Sequence, residues 1–214
     1  MHEEIQAWHT DELLARVAAG LKERGFETAI KRTEAEITAH VASLVTTGAS
    51  VGVGGSVTVR SLGIPEMLTR RGNTVHDHWR EGLSKDEVYE TRRKQLTADF
   101  FLTSANAITL DGRLVNIDGA GNRVAAMSFG PRHVIVIAGA NKIARDLDDA
   151  LWRVRNIASP QNCKRLGLKT PCAVTGRCHD CGPESSVCRI VSIIEYKPTA
   201  MDYTVILTPL ALGF

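Results

Sequence analysis

The sequence predicts an α/β fold, a three-layer sandwich built on a mainly parallel sheet. Short, mostly apolar runs near 27–31, 50–53, 73–76, 99–103 and 133–138 alternate with segments of helical periodicity. The runs lack the polar alternation of half-exposed strands, as expected for strands covered on both faces. Turns rich in glycine and polar residues follow several of them, the arrangement from which α/β proteins build small-anion sites.

Taken in order, Thr10-Asp11 is expected to cap a first helix, with Leu13, Leu14, Val17 and Leu21 on one face and a stop near Gly25. Thr33 with Glu36 has the capping-box spacing ahead of Ile37, Val41, Leu44 and Val45, and Gly48 ends that helix. Ser84 with Glu87 opens another, running to about Ala98. Asp111-Gly112, between Ala107–Leu110 and Arg113–Ile117, predicts a hairpin with a type I′ turn, whose two central residues both take positive φ. A helix from about Asp146 to Ile157 is expected to end before Pro160, with Trp152 packed on it. Segment 163–188, rich in Gly, Pro, Thr and Ser, reads as irregular, and strands near 189–196 and 203–208 close the chain. The expected organisation is one α/β domain over 1–214 with a cysteine-rich loop.

With 43% apolar and 23% charged residues, the chain has the composition of a folded globular protein. A net charge of +2 makes no electrostatic case for nucleic acid. No run approaches the roughly 18 apolar residues of a membrane span, and the amino terminus has no signal-peptide pattern, so a cytoplasmic location is expected. No P-loop, G-x-S-x-G or dinucleotide fingerprint occurs, which argues against ATP hydrolysis, serine hydrolysis and ordinary NAD binding.

Two turns carry the candidate site. Gly52, Gly54, Gly55, Ser56, Val57 and Thr58 follow a short apolar run, where glycines free backbone N–H groups and the hydroxyls add contacts for a phosphate or carboxylate. The second turn, Asp118, Gly119, Gly121, Asn122 and Arg123, is preceded by Ser104, Asn106 and Asn116. Asp118 can serve as general base, contact a ligand or cap the following helix. The asparagines can orient a polyol or carboxylate, or satisfy turn backbones, and Arg123 offers a fork for an acidic group. Arg60 reads as a ligand contact or an exposed first-turn cation, Lys142 as an exposed lysine more readily than as a side chain pointing into the cleft, and His76 with His78 as a solvated or hydrogen-bonded pair.

Through Gly54-Gly55-Ser56-Val57-Thr58, Ala98–Ala107, Asn116-Ile117-Asp118-Gly119, Gly121–Ala125 and Phe129-Gly130-Pro131, the sequence resembles the LUD-domain family, named for lactate utilisation. Thr170-Pro171-Cys172 and the terminal Leu212-Gly213-Phe214 are similar to a cysteine-bearing branch of it. The resemblance implies a fold related to ribose-5-phosphate isomerase, glucosamine-6-phosphate deaminase and coenzyme A transferases, whose Gly/Ser/Thr-rich loop binds an anion. It implies a small anionic ligand, a phosphosugar, hydroxy acid or coenzyme A-type molecule, and a role in carboxylate or lactate utilisation. The family's small lactate-operon component lacks this cysteine-rich segment, so the family name alone does not assign lactate oxidation.

Five cysteines lie between Cys163 and Cys188. Cys172, Cys178, Cys181 and Cys188 follow C-x5-C-x2-C-x6-C, and the C-x2-C step lets two thiolates reach one metal. The spacing matches neither common ferredoxin pattern and leaves zinc, an iron–sulfur cluster, unliganded thiols and an occasional disulfide open, while Cys163 reads as a buried apolar side chain. The cysteines thus support a second reading, an electron-transfer or assembly partner of an oxidoreductase. A non-catalytic metabolite sensor is a third, and self-association into a homo-oligomer is compatible with all of them.

Overall fold

The computed structural model describes residues 1–214. Six strands form one parallel sheet: β1 (Glu27–Ile30), β2 (Ser50–Val53), β3 (Thr74–Asp77), β4 (Phe100–Thr103), β7 (His133–Gly139) and β10 (Asp202–Thr208). Their spatial order is β1-β10-β7-β4-β2-β3, and every neighbouring pair is parallel. The last strand of the chain therefore lies inside the sheet, between β1 and β7.

Successive side chains on a strand point to opposite faces, which divides the core in two. Phe101, Val134, Val136, Tyr203, Val205 and Leu207 meet Leu14, Val17 and Leu21 of α1 (His2–Glu23) and Met127 of α6 (Asn122–Ser128). With the opposite parity, Leu102, Ile135, Ile137 and Ile206 meet Ile37 and Val41 of α2 (Glu34–Leu44), Val59 of α3 (Val57–Ser61) and Leu68 of α4 (Ile64–Arg70). Helix α5 (Lys85–Leu96) packs beside β2 and β3. These layers are the expected three-layer α/β sandwich.

Tyr203 is 1% exposed in this core, edge-on to Phe26 with ring centroids 5.2 Å apart. Its hydroxyl has no hydrogen-bond partner, and burial pushes its ionisation well above the usual phenol range. Tyr203→Phe removes only that unsatisfied group. It is expected to leave stability unchanged or raise it by about 1 kcal/mol in urea unfolding; a loss of that size would show that the hydroxyl is paired.

The predicted hairpin is present as β5 (Ala107–Thr109) and β6 (Leu114–Asp118), outside the parallel sheet. It belongs to a separate four-stranded sheet, ordered β8 (Ile143–Ala144), β5, β6, β9 (Ile190–Ile194). Its turn is not type I′, because only Gly112 has positive φ (+88°). The Gly112 N–H donates to the Thr109 carbonyl at 2.9 Å, and a Cβ at Gly112 would come within 2.5 Å of the α1 backbone. Close packing on α1, more than the turn class, requires this glycine.

Both capping boxes, Thr33 with Glu36 and Ser84 with Glu87, form as the spacing predicts. The first helix departs from expectation, since it starts at His2 and the Thr10 hydroxyl donates within it to the Gln6 carbonyl. Helix α7 (Leu147–Arg153) does not end before Pro160 either. A π-helical turn, Val154–Ala158, carries the chain into α8 (Ser159–Arg165). The wider turn lets the Ser159 hydroxyl donate to the Val154 carbonyl at 2.8 Å, so the helical path continues through a proline that has no N–H. Trp152 is 57% exposed instead of packed. Within the cysteine segment, Cys163 lies on α8 and Pro171–Thr175 form a short helix α9, whereas 176–189 are irregular.

Candidate functional site

A cavity of about 290 Å³ opens where the chain leaves the carboxyl ends of β2, β3, β4 and β7. Open parallel sheets place ligands at this edge, because loops diverge there and helix starts face inward. Gly55, Ser56, Val57 and Thr58 line one side. Ser104, Asn106, Asp118, Gly119, Asn122 and Arg123 line the other. The two turns singled out in the sequence thus face a common space.

Four of the predicted residues serve the site from behind. Gly52 and Gly54 sit outside the cavity, where an added Cβ would come within 3.0 Å of Gln95 and Phe101, and 3.1 Å of Phe101 and Thr103, respectively. Asn116 is fully buried beneath the wall, and Gly121 precedes α6 with φ +85°. Asp118 ends β6 of the second sheet, so the two walls come from different sheets.

The Gly55–Thr58 turn is held from several directions. The Ser56 hydroxyl accepts from the Val59 N–H at 3.2 Å, and the Thr58 hydroxyl donates to the Leu212 carbonyl at 3.2 Å. Trp79 covers Gly55, and a Cβ there would sit 3.0 Å from the indole. Arg60 and Arg165 stack on the Trp79 ring at 4.3 and 4.4 Å. Arg60 also pairs with Asp77, so it is a structural cation of the rim instead of the exposed side chain its position suggested. His78 is buried against Gln95 at 2.9 Å, and burial lowers its pKa to about 4.

Arg123 organises the opposite wall. Its guanidinium donates to Asn116 Oδ1 (2.7 Å), Asn106 Oδ1 (3.0 Å), the Ile117 carbonyl (2.6 Å) and the Ser104 carbonyl (3.3 Å). Its Nε lies 3.5 Å from Asp118 Oδ2. The other Asp118 oxygen accepts from the N–H groups of Ala120 (3.1 Å) and Gly121 (2.9 Å). Asp118 therefore caps its own turn and pairs with Arg123. Asn106 and Asn116 cross-link the two strands, since Asn106 N–H donates to Asn116 Oδ1 and Ile117 N–H to Asn106 Oδ1.

Lys142 is the residue whose position the sequence misjudged. It ends a 3₁₀ turn, Ala140–Lys142, directly after β7, and is 3% exposed in the cavity wall. Its Nζ donates to Ser104 Oγ at 2.7 Å and Thr58 Oγ1 at 3.0 Å, joining the two turns, and it makes no salt bridge. Burial, with Arg153 and Arg123 nearby, lowers its pKa from 10.5 to about 7. Arg153 holds this turn by donating to the carbonyls of Asn141 and Asn106. The terminal Leu212-Gly213 segment closes the same wall: a Cβ at Gly213 (φ +62°) would lie 2.5 Å from Thr58 Oγ1 and 3.3 Å from Lys142 Nζ. The one signal for Lys142 was a lysine immediately beyond a buried strand at the carboxyl edge.

Cys172, Cys178, Cys181 and Cys188 surround a neighbouring cavity of about 170 Å³. No three His, Cys, Asp or Glu side chains converge closely enough to hold a single metal ion. Cys163 is fully buried on α8, as its isolation in the sequence suggested.

Fold and site together define an open α/β protein with a polar cavity, rich in cations, at the carboxyl edge of its parallel sheet. A family model for the LUD domain matches residues 14–208, and the chain belongs to the LUD-domain family. It is similar in fold to the crystal structure of a DUF162 family protein from Deinococcus radiodurans. That likeness has a TM-score of 0.53 at 16% identity, covering 93% of this chain and 98% of the other. No curated protein matches the sequence significantly. No helix is long and apolar enough to cross a membrane.

Proposed function

We propose that the cavity binds a small anionic metabolite, a phosphosugar, hydroxy acid or coenzyme A-type ligand, in a reaction of carboxylate or lactate utilisation. The observation that carries this reading is Lys142, a buried amine without a carboxylate partner, close to Arg123 and Arg153. Asp118 is the only acidic side chain lining the cavity, and it is engaged by Arg123. A site with that balance gains most from a ligand that brings negative charge.

Lys142 is also the side chain best placed for proton transfer. Near neutral pH it exists as both amine and ammonium. The amine can take a proton from a ligand hydroxyl or from a C–H beside a carbonyl, and the ammonium can return it to the neighbouring atom. The 55–58 turn and Ser104 supply hydrogen bonds to the anionic group, and Asn106 and Asn122 orient the rest of the ligand. Asp118, with its oxygens committed to its own turn and Arg123, acts in this scheme as a positioning residue.

Thermal unfolding in the presence of phosphosugars, hydroxy acids, folates and coenzyme A esters tests the reading. At 100 times its dissociation constant, a true ligand stabilises the native state by about 2.7 kcal/mol. One compound class is expected to raise the midpoint of the wild type and leave that of Lys142→Met unmoved. A panel without effect, or equal shifts in both proteins, would refute the proposal.

A further inference from the structure

The second cavity has no part in this scheme, yet it is built from chemistry-bearing side chains. It is walled by Cys172, Cys178, Cys181 and Cys188, together with Arg155 and Thr170. Residues 176–189 form no helix and contribute only the last residues before β9, so backbone ladders do not explain their fold. Beside a Gly182–Ser186 turn and the Arg189 N–H on the Asp118 carbonyl, several of their hydrogen bonds involve the cysteines. The Asp180 N–H points at Cys178 Sγ at 3.4 Å, and Asp180 adopts φ +49°, the one non-glycine residue with positive φ. That conformation is costly for a residue with a Cβ, and it folds Cys178-His179-Asp180-Cys181 into a knuckle with an N–H directed at sulfur. The Thr170 hydroxyl lies 3.3 Å from Cys172 Sγ, and Cys178 N–H donates to Asn156 Oδ1 at 3.3 Å. Arg155, 3.5 Å from Asp180, brings positive charge to the wall.

The geometry points to an iron–sulfur cluster held by the thiolates of Cys172, Cys178, Cys181 and Cys188 in this cavity. A lone zinc ion is a poorer fit, because tetrahedral ligation at about 2.3 Å draws four sulfurs to within about 4 Å of one another. Here the four cysteines line one cavity of about 170 Å³, far more room than a single ion fills. A cluster spaces its thiolates around its perimeter, since they bind different irons. Each thiol loses its proton to solvent on ligation, and Arg155 offsets part of the resulting negative charge. Ser159, Val187 and Cys188 line both cavities, so the cluster lies against the wall of the anion site.

The test is anaerobic reconstitution of the full chain with iron and sulfide, in parallel with Zn²⁺ alone. The expected product contains iron and acid-labile sulfide in equal amounts and shows charge-transfer absorption in the visible. Cys178→Ser and Cys181→Ser should lose most of both while keeping the wild-type far-ultraviolet circular dichroism of the α/β core. Cys163→Ser, whose side chain packs on Cys172 without lining this cavity, should retain them. Stoichiometric zinc without iron–sulfide uptake, uptake of neither metal, or loss on Cys163→Ser equal to that on Cys178→Ser would overturn the assignment.

Discussion

Replacing Lys142 by Met is expected to stabilise the protein and abolish anion binding, with an effect on stability that depends on pH. Lys142 titrates near 7 in the folded chain, against an ordinary value of 10.5. Between those values the unfolded chain holds one proton more than the native state, so this group makes stability rise with pH across the interval. Below about pH 7 both states are protonated and the native state bears the whole cost of a buried ammonium. One pKa unit corresponds to about 1.36 kcal/mol, so the cost approaches 5 kcal/mol at low pH. Urea unfolding should therefore show Lys142→Met gaining most at pH 6 and little at pH 10.5, less a contribution for the lost hydrogen bonds to Thr58 and Ser104. Anion affinity of the wild type should fall as pH rises through 7, because the ammonium is the binding form. A Lys142→Met protein no more stable than wild type at pH 6 would mean that the lysine is solvated or compensated.

The opposite result is expected at Arg123. Its guanidinium satisfies Asn106, Asn116 and two backbone carbonyls and faces Asp118, so Arg123→Met leaves several buried acceptors and a carboxylate without a partner. A loss of about 3 to 5 kcal/mol is expected, typical of breaking a buried pair from one side. Arg123→Lys keeps the charge but cannot reproduce the planar fork, so it should recover only part of the loss. Equilibrium unfolding of both variants checks this; a loss under about 1 kcal/mol for Arg123→Met would show that Arg123 does not hold the wall together.

Both side chains lie in a site whose outline is legible in the sequence, though their roles are not. The Gly55–Thr58 turn and the Asp118–Arg123 corner were found because glycine and hydroxyl or amide residues after a strand are a local signature. Lys142 carried no comparable mark, since one exposed-type residue in a turn reads the same whether its side chain faces water or a cavity. For Asp118 the sequence left base, ligand contact and cap open, because the Arg123 that pairs with it reaches back across the turn. The type I′ turn was wrong at Asp111-Gly112 because packing on Gly20 of α1 dictates the glycine there.

Determined by the sequence alone were the features that act over a few residues: the capping boxes at Thr33 and Ser84, the buried parallel strands, the glycine-rich turn and the grouping of four cysteines. Hydrogen bonds and steric limits between near neighbours decide these, and they leave residue patterns. Only the tertiary structure decided that β10 enters the middle of the sheet, that a second sheet delivers Asp118, and that Gly213 closes the wall. The Lys142–Thr58 and Thr58–Leu212 hydrogen bonds span 84 and 154 residues. Burial and pKa follow from atoms brought together over such separations, and neither is encoded in the spacing of residues along the chain.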